Sequence, residues 1–149
     1  MKHYSTHAID MLTRHCLKDT VGFNWLMNNN YPELLAIIDA VRDDKKAFQY
    51  LMKGKHFVLA AFVNAIWEDQ AAFKFLMDAK AFEWAACANI INGDDNAEIA
   101  LKKANKEHFV LLAHAIQSRI HEDGDRNMSP WGVMKNLLNI KEAIKKTKD

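Results

Sequence analysis

The sequence has few of the residues that break or bridge a chain. Its 149 residues include two cysteines, two prolines and five glycines. The prolines and glycines sit near proposed helix ends or turns and not inside apolar runs, which favours helices. Cys16 and Cys87 lie in apolar surroundings without CxxC spacing, so they read as two core thiols and exclude a paired-cysteine zinc pattern. No apolar run approaches the roughly 20 residues of a membrane span, and the polar N-terminus lacks the apolar stretch of a signal peptide. A soluble, cytoplasmic protein without a membrane partner is therefore expected. The net formal charge is only +1, which gives no bulk electrostatic ground for a nucleic-acid partner. The one basic concentration, Lys135, Lys141, Lys145, Lys146 and Lys148, reads as a lysine-rich helix end complementing the helix dipole. Nucleophile motifs, phosphate-cradling glycine loops and HExxH are absent, so no catalytic residue, metal or cofactor is assigned.

What the chain does have is a period. Phe23, Phe48 and Phe73 recur at intervals of 25, and each opens a similar run: Phe23-Asn24-Trp25-Leu26-Met27, Phe48-Gln49-Tyr50-Leu51-Met52 and Phe73-Lys74-Phe75-Leu76-Met77. A degenerate fourth copy keeps the register through Ala97 and Leu101. The second half of each unit repeats in columns: Leu34, Leu59, Trp84 and Phe109; Ile37, Phe62, Cys87 and Leu112; Ile38, Val63, Ala88 and Ala113; Val41, Ile66, Ile91 and Ile116. Positions 34, 37, 38 and 41 have the spacing of a helix that buries one face. Ile9, Leu12 and Cys16 continue those columns towards the N-terminus, as half of a truncated unit.

Chemistry marks the boundaries. Asp44, Asp69 and Asp94 recur where a short carboxylate can accept from free N–H groups of a first helical turn. Pro32 suits a first turn, because its missing N–H would be unsatisfied there. Gly54 suits a left-handed helix end. Each unit then reads as a helix of about nine residues, a tight turn and a helix of about thirteen. A helix so short is marginal alone, so it needs neighbours. The longer helices carry a second face of mostly small residues: Ala36 and Ala40, Ala61 and Ala65, Ala86 and Ile90, Leu111 and Ala115. The predicted fold is all-α: a single domain over residues 1–149, built as a 25-residue αα-hairpin solenoid, a right-handed stack with capping helices at both ends. Its units span residues 1–21, 22–46, 47–71, 72–96 and 97–121. Residues 121–127 read as a polar loop, and Ser129-Pro130 opens a C-terminal capping helix over about 129–146. In its paired helices the chain resembles the broad class of HEAT-, ankyrin- and tetratricopeptide-type repeats over about residues 9–120. Its unit is shorter and it lacks their signatures, so no functional residue carries over.

Between the packing faces runs a polar column, Asp39, Asn64, Asn89 and His114, followed one turn on by Arg42, Trp67, Asn92 and Gln117. Stacked units line such columns up, so the predicted function is that of an interaction or scaffold module holding a protein or peptide along this strip. A hydrogen-bonded ladder of Asn64 and Asn89 would give the same column a structural role. Self-association through uncovered stack ends is a further expectation. The alternative is a small hydrolase or metal-dependent enzyme around His114, His121 and the acidic loop of Glu122, Asp123 and Asp125. That loop lacks the ligand spacing of an EF-hand. His3 and His7, four apart, match metal spacing but have no third ligand fixed by sequence.

Overall fold

A computed structural model describes residues 3–126, with the side chains of Asp125 and Arg126 left out. The described residues form nine α-helices and no strand: α1 (Thr6–Cys16), α2 (Thr20–Asn28), α3 (Pro32–Val41), α4 (Lys45–Lys53), α5 (Phe57–Ile66), α6 (Gln70–Asp78), α7 (Phe82–Ile91), α8 (Asp95–Lys103) and α9 (Glu107–Arg126). The starts of α2, α4, α6 and α8 are 25 residues apart, as are those of α3, α5, α7 and α9. The capping helix expected over 129–146 lies outside the described residues.

One turn geometry sets this spacing. After each of the first eight helices a residue adopts positive φ: Lys18, Asn30, Asp43, Lys55, Glu68, Lys80, Gly93 and Asn105. The next residue's N–H then bonds back five residues, as in Asp19 to the Arg14 carbonyl and Tyr31 to the Leu26 carbonyl, both at 2.9 Å. This is the Schellman pattern, which satisfies helix-end carbonyls and stops the helix. It explains why α3, α5 and α7 have ten residues, fewer than the periodicity suggested. Gly54 is not the left-handed residue: its φ is −78°, and Lys55 takes the turn at 61°. A Cβ at Gly54 would lie 2.7 Å from the His56 ring, so a larger residue there requires that side chain to shift. Asp44, Asp69 and Asp94 cap as expected, and Asp19 does the same for α2, accepting from Val21 N–H at 2.9 Å. Pro32 occupies the first turn of α3.

The odd-numbered helices pack side by side, α1 on α3, α3 on α5, α5 on α7 and α7 on α9. The even-numbered helices lie outside, each against the two odd helices that flank it in sequence. Each odd helix sends three residues inward. Ile9, Leu12, Cys16 and their equivalents through Phe109, Leu112 and Ile116 are at most 7% exposed. Trp84 holds one end of this core together by edge contacts with Tyr4, Phe62 and Phe109 at centroid distances of 6.3, 4.9 and 5.2 Å. Leu26, Leu51, Leu76 and Leu101 plug the even helices into it. The small-residue face is buried at Ala36 and Ala61, but on α9 Leu111 is 58% exposed, because no described residue covers that side.

Among the described residues α9 packs against α1, so the row of odd helices closes on itself, a contact the sequence reading did not include. One expectation is corrected: residues 121–126 are not a loop but the continuation of α9. The extension is held by long-range contacts: Arg119 Nη1 donates to the Cys16 carbonyl at 3.1 Å, Lys18 pairs with Glu122, and Arg42 forks onto Asp123 at 2.8 and 3.2 Å. The sequence around Glu122 has no apolar period, so these partners, from the end of α1 and the turns after α1 and α3, left no signal by which the helix could be read.

Within the first hairpin, α1 and α2 approach closely at Gly22. A Cβ there would meet the Met11 carbonyl oxygen at 2.4 Å and the His15 nitrogen at 2.6 Å, both backbone atoms. Gly22→Ala should therefore destabilise by about 1–3 kcal/mol despite the better helix propensity of alanine. Phe62→Ala, at the centre of the core, should cost about 3–5 kcal/mol. Urea midpoints measure both; a neutral or stabilising Gly22→Ala would refute the close approach.

Candidate functional site

The turns that follow α1, α3 and α5 open three equivalent grooves. In each, a capping aspartate (Asp19, Asp44, Asp69) and the left-handed residue (Lys18, Asp43, Glu68) form the rim. A phenylalanine of the even helix (Phe23, Phe48, Phe73) lines one wall, and the next odd helix supplies Asp39, Asn64 or Asn89. The cavities measure about 250, 210 and 620 Å³ in that order. The polar column read from the sequence thus lies along their edge. Asp39 is exposed, Asn64 and Asn89 are half-buried, and neither asparagine makes a side-chain hydrogen bond among the described residues. The phenylalanines, read from the sequence only as markers of the period, are wall residues absent from the expected strip. Their 25-residue recurrence was the available signal.

The fourth position differs. Glu98 stands where the phenylalanines stood, and its carboxylate meets His114 Nε2. His114 Nδ1 faces Gln117 Oε1 at 2.9 Å, and Gln117 Nε2 donates to the Ile90 carbonyl at 2.8 Å. With both ring nitrogens facing acceptors, this chain is fully satisfied by an imidazolium. The Glu98 hydrogen bond, then that of Gln117, raises the His114 pKa, and the His114 bond lowers that of Glu98. His114 thus closes its position with a side-chain bridge, unlike the other members of its column.

The second row is mostly engaged within the fold. Asn92 Nδ2 donates to the Ala65 carbonyl at 3.1 Å, just as Gln117 does to Ile90. Each reaches from one odd helix to a C-terminal carbonyl of the preceding one, where intrahelical donors run out. The ladder considered for Asn64 and Asn89 is therefore built one turn later. Arg42 is held by Asp123, and the Trp67 indole packs half-buried against the core.

Of the groups in the catalytic alternative, three have identified partners, and the Asp125 side chain lies outside the described residues. His114 turns to Glu98, whereas Glu122 and Asp123 engage Lys18 and Arg42. Among the described residues no group of three or more His, Cys, Asp or Glu side chains could hold a metal ion. His7 packs edge-on to Trp25 at 4.8 Å. Burial pushes the Cys16 thiol up to about 12 and raises that of Cys87 as well, so both are protonated and poor nucleophiles near neutrality. The buried Glu33 accepts from the Tyr4 hydroxyl at 3.4 Å; burial first, then Glu33, raises the pKa of that hydroxyl. No helix of the described residues is long and apolar enough to cross a membrane.

The pH dependence of the bridge follows from these shifts. The raised His114 pKa makes its contribution complete below the ordinary histidine value and lost as pH rises through the folded value. The depressed Glu98 pKa makes its contribution present above the ordinary carboxylate range and lost as pH falls through the folded value. The bridge is therefore strongest between the carboxylate and histidine ranges. Histidine NMR titration should place His114 above about 6.5, the ordinary value, and Glu98→Gln should bring it back down. An unshifted His114, or one indifferent to Glu98→Gln, would contradict the pairing.

No protein-family model, curated protein or solved structure matches this chain, so the geometry of the grooves stands as the basis for a functional reading.

Proposed function

We propose that this protein is a helical-repeat interaction module that holds a protein or peptide partner along the grooves lined by Asp39, Asn64 and Asn89, with His114 closing the row. The observation that carries this reading is the threefold recurrence of one groove, with an aromatic wall and a polar edge at equivalent positions. Repeated arrays present ligand surfaces in this way, because equivalent side chains of successive units fall in line. The 25-residue recurrence of helix starts supports treating the chain as an αα-hairpin repeat, wound so that α9 returns to α1.

The two asparagines add weight. They are half-buried amides with no hydrogen-bonding work inside the described fold, whereas Asn92 and Gln117 do such work one turn away. An amide offers both a donor and an acceptor, which suits it to the backbone of a bound polypeptide. Arg42, Trp67, Asn92 and Gln117 then frame the site, holding the helices whose spacing sets the groove width.

A photo-crosslinking residue placed at Asn64 or Asn89 in the full chain should capture a discrete polypeptide, and one at Lys74 should not. For the captured polypeptide, Asn64→Ala with Asn89→Ala should weaken binding by about tenfold, equivalent to about 1.4 kcal/mol, with helicity and Tm preserved. Undiminished affinity in the folded double variant would reject the strip.

A further inference from the structure

The net charge of +1 conceals a separation. The turns that open the grooves carry Asp19, Asp43, Asp44, Glu68 and Asp69 beside Lys18, Arg42 and Lys45, with Asp94 at the equivalent place after α7, whereas the other end carries Lys53, Lys55, Lys80, Lys103 and Lys106 beside Asp78 and Glu107. In the first groove the acids are balanced, since His15, Lys18, Arg42 and Arg119 line it as well. The second and third are different. Asp43, Asp44, Glu68 and Asp69 rim them, and Lys45 is the one cationic side chain among their lining residues.

Two of these carboxylates, Asp43 and Glu68, close no ion pair with the described residues, although Lys45 stands near Asp43. Asp44 and Asp69 each use an oxygen to cap a helix, accepting from Lys46 and Ala71 N–H at 2.9 and 3.0 Å. Asp43 and Glu68 cap nothing and form no ion pair among the described residues, yet both are half-buried. Burial raises the Asp43 pKa, and the neighbouring Lys45 charge offsets part of that rise. Beside them Ala40, Phe48 and Val63 make the second groove largely apolar, whereas in the third Ala65 and Phe73 share the lining with Gln70 and Asn92.

We propose that the second and third grooves dock a lysine- or arginine-rich polypeptide segment that also carries bulky apolar side chains. This rests on the reading of the grooves as a partner surface and specifies the partner's chemistry. The apolar side chains enter against Phe48 and Phe73, the cationic heads meet Asp43 and Glu68, and Asn64 and Asn89 bond the segment's backbone. A cation drawn from water to a half-buried carboxylate beside an apolar wall gains more than one at a fully solvated rim, because the pair is less screened. The charge separation also steers such a partner towards the groove edge and away from the lysine-bearing end.

The test uses the full chain, a short fluorescent Lys/Leu peptide and its Glu/Leu counterpart, with anisotropy read at low and high salt. The Lys/Leu peptide should bind and the Glu/Leu peptide should not. Asp43→Asn with Glu68→Gln should weaken binding about tenfold, whereas Asp78→Asn with Glu107→Gln, at the opposite end, should leave it unchanged. Equal weakening by the two pairs of variants, or none by either, overturns the proposal. If instead both peptides bind equally and Asn64→Ala with Asn89→Ala weakens both, the partner surface stands and its charge preference fails. If neither peptide binds and the crosslinking at Asn64 and Asn89 also fails, the underlying reading falls too. Self-association abolished by Asp43→Asn with Glu68→Gln would assign the grooves to a second copy of the chain and overturn the proposal.

Discussion

The structure depends on a single kind of turn. In Asp19, Asp44, Asp69 and Asp94 one residue performs two tasks. Its N–H bonds back to the helix just ended, and its carboxylate caps the helix about to begin. Only three residues separate the two helices, and just one of these four turns contains a glycine, Gly93, so the angle between them is set largely by hydrogen bonds. Helix length, groove width and the alignment of the columns all follow from repeating it. The residues that take positive φ are mostly lysine, asparagine and acids instead of glycine. The backbone strain this implies is offset by helix-end carbonyls that would otherwise stay unsatisfied.

The parts of the fold legible in the sequence are those that recur. The inward columns, the aspartate caps and the register of α1 could be read because packing at Ile37 imposes the same demand at Phe62 and Leu112. Contacts that occur once leave no period. The meeting of α9 with α1 and the forks from Arg42 to Asp123 and from Lys18 to Glu122 depend on partners about a hundred residues away in sequence, and they left no signal for the helical state of residues 121–126. Gly54 misled because glycine suggests positive φ, but here the next residue, Lys55, takes the turn.

The candidate site was legible to the same degree. The column Asp39, Asn64, Asn89 and His114 stands out because it is polar in a place where its neighbours are apolar. Its division of labour does not. Which amide stays free and which one reaches a carbonyl differs by one helical turn, and the sequence spells both with asparagine. The substitution of Glu98 for a phenylalanine was visible as degeneracy of the fourth copy, but its meaning required seeing that His114 stands across from it.

The contact between α1 and α9 reaches beyond the site. An open row of hairpins tolerates gain or loss of a unit, because each member touches only its neighbours and the ends move freely. Here the first and last described helices are neighbours, so inserting or deleting 25 residues would part Lys18 from Glu122 and Arg42 from Asp123. Among the described residues the helix count is thus tied to these closing contacts, whereas the groups lining the second and third grooves take no part in them.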